Sequence, residues 1–202
     1  MLGLNHGVDG YLGRLRDELD RLDRPAIERL AEAIYAAWQA ERFIFVIGNG
    51  GSAATASHFC EDLGKNSLRT GDLHDDSIRR VRVLSLTDHV SWITALGNDL
   101  SYDEIFAQQL RQYASPGDLC IAISGSGNSP NIITAVEWAN QRGLTTFGLT
   151  GYDGGRLKQI QHDGLHVALD DMGMAESIHG LILHWVVEDV HGRINRVGRY
   201  AP

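Results

Sequence analysis

The sequence has few cysteines, no long apolar run and no excess of basic residues. Its 202 residues include two cysteines, Cys60 and Cys120, which are too few to form a framework of disulfides. No apolar run approaches the ~20 residues that a helix needs to span a bilayer, so we expect no association with a membrane. The stretch MLGLNHGVDGYLGRL at the start lacks the basic residues and the continuous apolar core of a signal peptide. Together these absences predict a cytoplasmic protein.

The charge balance is acidic, which bears on the class of partner. Lys and Arg number 18 and Asp and Glu number 26, so the formal net charge is −8 at pH 7. This balance disfavours nonspecific binding of nucleic acid, whose backbone is itself anionic. It does not exclude a small anionic ligand, because backbone dipoles bind anions locally. We therefore expect no direct contact with nucleic acid.

Apolar runs alternate with helical patterns along most of the chain, and this alternation predicts the fold. Unbroken apolar runs are typical of parallel strands that are buried on both faces. They predict strands at FIFVIG (43–48), VRVLSL (81–86), LCIAIS (119–124), TTFGLT (145–150) and GLHVAL (164–169). Helices are predicted at 89–96, 102–114, 130–142, 154–160 and 174–192, and the polar stretch 64–80 is predicted to be a loop. The order predicts an α/β fold with a doubly wound, parallel, five-stranded sheet flanked by helices.

Two amphipathic helices are predicted before the first strand. Residues 9–22 place apolar side chains at helical spacing, and Pro25 suits the first turn of a second helix. Two such helices need an apolar surface to cover, and part of it can belong to another subunit. We therefore expect a single domain, with an N-terminal helical extension (1–40) that serves oligomerisation and an α/β core (41–202).

Small, hydroxyl-rich loops follow two of the predicted strands, GNGGS (48–52) and SGSGNS (124–129). In sheets of this kind, ligands bind beyond the carboxyl ends of the strands. Backbone amides at a helix start, together with several serine hydroxyls and no nearby lysine, suit a phosphate monoester. A nucleotide is disfavoured, because the motif GxxxxGK[ST] is absent and no acidic residue follows the second strand where a dinucleotide fold needs one.

Histidines and carboxylates recur at helical spacing on two predicted helices. His58 and Asp62 are four residues apart and share a helix face. Glu176 and His184 are eight apart, a little over two turns, and can also share a face. If the two helices meet, these four residues form a nitrogen and oxygen set that is compatible with Zn²⁺. The same four can also act without a metal, as base, acid and orienting groups.

Five stretches occur in the order found in one known family. GNGGSAATASHF, ALGNDLSYDEIF, ISGSGNSPNI, LTGYDGG and ESIHGLILH follow one another as in the sugar isomerase (SIS) domain family. The resemblance covers nearly the whole chain and is greatest to the phosphoheptose isomerases, which convert sedoheptulose 7-phosphate to a heptose 7-phosphate. It implies aldose–ketose isomerisation of that phosphorylated sugar through an enediol, and a homotetramer whose sites draw on more than one subunit.

The resemblance also implies roles for individual residues. His58 and His184 match residues that bind zinc where zinc is present, and His184 also matches a catalytic acid or base. Asp62 stands at the position of the family's general base. Substrate contacts are implied for both loops, for the polar pair 98–99, and for position 176, where the family carries a glutamine ligand. The residues are Asn49, Gly50, Gly51, Ser52, Asn98, Asp99, Ser124, Gly125, Ser126, Ser129 and Glu176.

The chain departs from the family at the reactive end. Asp62 replaces a glutamate, Glu176 replaces a glutamine that binds the metal, and Gly173 replaces an aspartate. The shorter Asp62 loses about 1.5 Å of reach, and misplacement on that scale can cost ~100-fold in rate. Two alternatives to the heptose isomerase therefore stay open. One is a noncatalytic SIS protein that binds a phosphosugar or a protein such as a replication initiator, and the other is isomerisation of a different phosphosugar.

Overall fold

The computed structural model describes residues 2–202. The helices within this range are α1 Val8–Asp20, α2 Arg24–Gln39, α3 Gly51–Asn66, α4 Val90–Asp99, α5 Ala107–Tyr113, α6 Pro130–Gln141, α7 Gly155–Ile160 and α8 Met172–Asn195. The strands are β1 Phe43–Gly48, β2 Arg82–Ser85, β3 Leu119–Ser124, β4 Thr145–Thr150 and β5 Asp163–His166. Short 3-10 turns lie at Leu2–Leu4, Thr70–Asp72, Tyr102–Glu104 and Gly198–Tyr200.

The five strands form one parallel sheet in the order β2-β1-β3-β4-β5. The order reverses between β1 and β3, where Gly48 pairs with Ile123. Such a switch point opens a crevice at the carboxyl ends of the two strands. Both glycine-rich loops leave the sheet at this crevice, so the predicted α/β fold with a five-stranded parallel sheet is confirmed.

Alternate residues of β1 face two separate apolar clusters. Ile44 and Val46 pack with buried residues of α2, α3 and α8, whereas Phe45 and Ile47 pack with α5 and α6. This is the period of two that a strand buried on both faces requires. The helices therefore cover both faces of the sheet, as the apolar runs predict. Cys120 is buried in β3 and Cys60 is half-buried in α3, and neither forms a disulfide.

The N-terminal helices differ in how deeply they are buried. Asp23 caps α2 by accepting a hydrogen bond from Ala26 N at 3.2 Å, and Pro25 lies in the first turn as predicted. Leu30 and Ile34 of α2 are fully buried in the same cluster as α8. In contrast, Val8 and Leu12 of α1 are exposed.

Several predicted boundaries are wrong. The two edge strands are four residues long, and the helix predicted at 102–114 is divided into a 3-10 turn and α5. The loop predicted from residue 64 begins later, because α3 continues to Asn66. Pairs at i,i+4 support this last turn: Lys65 Nζ donates to Glu61 Oε1 at 2.6 Å and Asn66 Nδ2 donates to Asp62 Oδ1 at 2.8 Å.

None of the helices in the described part of the chain qualifies as a transmembrane segment.

Candidate active site

The first loop joins β1 to α3 and requires glycine at two positions. Gly50 has φ +55°, a conformation that other residues rarely adopt. A Cβ on Gly51 would lie 2.5 Å from Glu176 Oε2, so this backbone passes directly against the carboxylate. Ser52 follows within the first turn of α3 and is buried. The loop therefore places free amides of α3 beside the crevice.

The second loop joins β3 to α6 and partly satisfies its own polar groups. Gly127 N donates to Ser124 Oγ at 3.2 Å, and Asn128 N donates to Ser126 Oγ at 3.3 Å. Ser129 precedes α6, and its side chain makes no capping hydrogen bond. Ser126 lines a cavity of about 610 Å³ with Asn128, Tyr152, Asp153, Asp170 and Met172. Ser126 is thus the serine of this loop that faces the open cavity.

The turn after β4, within LTGYDGG, and the α7 helix that follows it hold the second loop in place. Gly151 N donates to Gly125 O at 2.8 Å, and Leu157 N donates to Gly127 O at 2.8 Å. Met172 Sδ lies so close to Gly125 that a Cβ there would collide with it. This contact requires glycine at position 125, unless Met172 moves.

Helices α3 and α8 lie side by side and run in the same direction. Gly51 meets Glu176 at one end, and His191 Nδ1 lies 2.8 Å from Asn66 O at the other. Between them, His58 and His184 stand with ring centroids 5.0 Å apart. The parallel packing brings together residues that are far apart in the sequence.

Asp62 lies at the centre of this contact. Its Oδ2 is 3.3 Å from His58 Nε2 and 3.6 Å from His184 Nε2. One ligand atom from each of the three residues lies within 4.8 Å of the others. Asn66 Nδ2 donates to the other oxygen, Asp62 Oδ1, at 2.8 Å. Of the three, Asp62 is half-buried, and the two histidines are exposed.

Open space surrounds these three residues, which we call the His–Asp trio (His58, Asp62 and His184). A small pocket of about 40 Å³ lies on one side, lined also by Thr55, Phe59, Gly180 and Leu183. A cleft of about 410 Å³ lies on the other, lined also by Asn66, Val187, Glu188 and His191. Two imidazole nitrogens and one carboxylate oxygen are a typical ligand set for catalytic Zn²⁺, which keeps a position open for water or substrate. The trio can equally transfer protons.

Glu176 does not join the trio, which corrects the four-residue set expected from spacing. It precedes His184 by eight residues, which is about 12 Å along α8. The two residues share a face, but they lie at different heights, and Glu176 packs against Gly51 instead. There its negative charge lies at the N-terminus of α3, where the helix dipole favours it.

The remaining predicted site residues lie in two places. Asn49 exchanges two amide hydrogen bonds with Asn131, at 2.8 and 2.9 Å. Asn98 Nδ2 donates to Asp99 Oδ1 at 2.8 Å at the exposed end of α4, and neither side chain forms a hydrogen bond with either loop among residues 2–202. Asn49 thus lies at the crevice, whereas Asn98 and Asp99 form no hydrogen bond with the loops in the described part of the chain.

The sequence analysis did not predict three polar residues near the site, which are Asn66, Tyr102 and Asn131. Asn66 follows Asp62 by four residues, and that spacing was a usable signal. Asn131 and Tyr102 reach Asn49 from distant segments, so no local pattern marks them. His179 on α8 is buried, with Nε2 3.3 Å from Thr150 O at the end of β4. Burial, the largest cause, lowers the pKa of His179 to about 4, so this histidine is neutral near pH 7.

Known proteins resemble this chain over most of its length. The family model for the SIS domain matches residues 10–151. The phosphoheptose isomerase of Citrifermentans bemidjiense is 36% identical over 165 residues, covering 81% of this chain and 82% of that protein. The solved phosphoheptose isomerase of Neisseria gonorrhoeae has a TM-score of 0.80 at 28% identity, covering 94% of this chain and 97% of that one. That of Francisella tularensis has a TM-score of 0.81 at 27% identity, with coverages of 91% and 95%.

Proposed function

Because the chain belongs to the SIS domain family, we propose that it interconverts sedoheptulose 7-phosphate and a heptose 7-phosphate. It is an isomerase of phosphorylated sugars, like the relatives it matches. The observation that carries the proposal is the His–Asp trio, in which His58 and Asp62 lie on the helix that begins at the first glycine loop and His184 faces them from α8. A phosphate monoester bound at the loops places the rest of the sugar along α3.

The reaction moves one hydrogen between neighbouring carbons. A base removes the proton from C1 of the ketose, an enediol forms, and a proton returns to C2 while another passes from O1 to O2. We assign the transfer of the carbon-bound proton to Asp62 and the transfer of the oxygen-bound proton to His184. Their facing atoms, Oδ2 and Nε2, are 3.6 Å apart, so both can reach one substrate end.

The separation between the loops and the trio favours an extended sugar. Ser52 and His58 are six residues apart on α3, which is about 9 Å along the helix. A substrate that is held by phosphate at the loops and reacts at the trio therefore needs a long carbon chain. This length supports a seven-carbon ketose over a three-carbon one. We propose that both loops, with Asn49, Gly50, Gly51, Ser52, Ser124, Gly125, Ser126 and Ser129, hold the phosphate end.

Direct proton transfer and metal binding use the same atoms of the trio and are therefore alternatives, and for the second we propose Zn²⁺ as the cofactor. His58, Asp62 and His184 would hold the ion through two nitrogens and one oxygen, all within 4.8 Å of one another. When bound, Zn²⁺ would supply Lewis-acid polarisation of the substrate's carbonyl oxygen. Asn66 orients Asp62 by a hydrogen bond to Oδ1, the carboxylate oxygen that does not face the histidines.

We propose further that the chain is one domain that assembles as a homotetramer in the cytoplasm. An apolar groove of about 420 Å³ runs between α1, α2 and α8, lined by Leu19, Leu22, Arg24, Ile27, Glu28, Leu181, Ile182 and Trp185. Leu181 is 52% exposed in the single chain, although its side chain is apolar. The N-terminal extension (1–40) thus offers a surface for other subunits. A cytoplasmic location suits a charged phosphosugar, which does not cross membranes unaided.

The direct test is turnover in deuterated water. Purified protein is incubated with sedoheptulose 7-phosphate, and proton NMR follows both the aldose product and incorporation of deuterium. We expect both signals from the wild type and neither from His184→Asn, with His74→Gln in the exposed loop as the matched control. Absence of turnover and of exchange for several ketose phosphates, with and without Zn²⁺, would contradict the proposal. The noncatalytic alternative is not favoured, because His184 is retained and the relatives are isomerases.

A further inference from the structure

A reciprocal pair of amide hydrogen bonds ties the two loops together. Asn49 Nδ2 donates to Asn131 Oδ1 at 2.8 Å, and Asn131 Nδ2 donates to Asn49 Oδ1 at 2.9 Å. Asn49 belongs to the first loop, whereas Asn131 lies in the first turn of α6, directly after the second loop. Asn131 is 1% exposed, so its side chain is held within the protein. No local pattern in the sequence predicts that these two residues form a pair.

The backbone determines which way both amides point. Ile132 N shares its hydrogen between Ser129 O at 3.0 Å and Asn131 Oδ1 at 2.9 Å, and an Nδ2 in the place of Oδ1 would set two donors against each other, so the near atom is the oxygen. Asn131 Nδ2 then faces Asn49, whose near atom must be an oxygen as well. Tyr102 OH donates to the same Asn49 Oδ1 at 3.1 Å. The oxygen of Asn49 therefore accepts two hydrogen bonds from the protein.

Asn49 consequently presents a donor to the crevice and not an acceptor. Of its two N–H groups, one is used on Asn131, and the other has no hydrogen-bond partner in the described residues 2–202. A free N–H in a loop that begins a helix suits a phosphoryl, carbonyl or hydroxyl oxygen. An amide that was free to rotate would present its oxygen half of the time and would repel such a group.

We propose that Asn131 is a positioning residue for substrate, acting through Asn49. It orients the Asn49 amide and holds the first loop against the second, so that both loops are ordered before the sugar phosphate arrives. Pre-ordering of this kind lowers the entropic cost of binding. The inference rests on the proposed isomerase function for its substrate, but the amide pair itself can be tested without turnover.

Asn131→Asp separates positioning from helix stability. The carboxylate keeps an acceptor for Ile132 N and places a charge at the N-terminus of α6, which the helix dipole favours. It loses the donor and sets a second oxygen against Asn49 Oδ1. We expect KM for the sugar phosphate to rise about 10- to 100-fold, since one hydrogen bond to a charged group is lost. The pH profile of kcat should stay unchanged, and the midpoint of urea unfolding should fall because the new carboxylate is buried.

Asn140→Asp is the matched control on the same helix. Asn140 Oδ1 accepts from Thr146 Oγ1 at 2.8 Å, and its Nδ2 donates to Ile160 O at 2.7 Å. The substitution removes the equivalent donor from a bridging asparagine that contacts neither loop. We expect lower stability for Asn140→Asp with KM unchanged, so a rise in KM that is seen in Asn131→Asp alone is not an effect of lost stability.

A double-mutant cycle with Asn49→Ala decides whether Asn131 acts through Asn49. If it does, Asn131→Asp adds no further rise in KM once Asn49 is alanine. Additive effects, or an unchanged KM in Asn131→Asp, would overturn the proposal.

Amide hydrogen exchange of residues 49–54 tests the same pair independently of turnover. We expect faster exchange in Asn131→Asp than in the wild type or Asn140→Asp, and equal rates in all three would refute the inference. A wild type that fails to turn over the sugar while the exchange result holds would contradict the proposed function and leave the amide pair supported.

Discussion

Asp62 on α3 faces His184 on α8, with 3.6 Å between Oδ2 and Nε2. The same oxygen lies 3.3 Å from His58 Nε2, and Asn66 holds the other oxygen. One carboxylate thus contacts both histidines and is itself oriented from behind. The chemistry at this end of the site depends on Asp62 more than on any other side chain of the trio.

Removing the charge of Asp62 should stop catalysis without disturbing the fold. Asp62→Asn keeps the shape of the side chain but can neither accept the carbon-bound proton nor bind a metal as a carboxylate does. We expect kcat/KM for sedoheptulose 7-phosphate to fall at least about 100-fold, because a positioned base contributes roughly 10²–10⁴ in rate. Aldose formation by NMR measures this, with Asp76→Asn in the exposed loop as the control. Wild-type rates in Asp62→Asn would assign the base to another group.

Zn²⁺ binding should depend on the trio in a graded manner. His58→Ala removes a ligand and is expected to abolish binding, whereas Asn66→Ala removes only the group behind Asp62 and should weaken it about 10- to 100-fold. Isothermal titration with Zn²⁺, supported by metal analysis of the purified protein, measures both. Equal affinities in the wild type and His58→Ala would exclude a metal site at the trio.

Glu176 should affect the stability of α3 and not the metal site. Its carboxylate lies at the N-terminus of α3, so Glu176→Gln is expected to lose about 0.3–1 kcal/mol of charge–dipole stabilisation. Urea unfolding at low salt measures this loss, which should shrink as salt is added. Zn²⁺ affinity should stay unchanged. A large loss of affinity in Glu176→Gln would place this residue among the ligands after all, as in the set expected from spacing.

His179 should make the fold sensitive to acid. Burial lowers its pKa from 6.5 to about 4 in the folded chain, so the unfolded chain binds a proton more readily. Stability is therefore complete above pH 6.5 and falls as the pH drops from there towards 4, by roughly 3 kcal/mol in total. Urea unfolding of the wild type and His179→Asn between pH 7.5 and 4 measures this loss. Parallel curves for the two proteins would contradict the prediction.

The apolar groove should govern assembly. Leu181→Asp places a charge in the groove and is expected to convert the proposed tetramer to smaller species, because an apolar interface does not tolerate an unpaired carboxylate. Light scattering after size exclusion measures the mass, with Gln141→Asp at the exposed end of α6 as the control away from the groove. A tetramer that survives Leu181→Asp would place the interface on another surface.

Local patterns in the sequence were enough to predict much of this molecule. The strands are apolar runs, the two loops are dense in glycine and serine, and His58 and Asp62 lie four apart on one helix. Each of these is a property of neighbouring residues, and backbone geometry alone sets its consequence. The family resemblance rests on the same stretches, so it too could be stated before the fold was known.

The tertiary structure decided how the helices meet. Spacing along α8 places Glu176 and His184 on one face, but only the packing of α8 beside α3 sets which partner stands at each height. Glu176 therefore meets Gly51, whereas His184 meets Asp62. Likewise, the sheet order brings β1 next to β3, and that neighbourhood lets Asn131 bond with Asn49. Such contacts join distant segments across the sheet, and no local period encodes them.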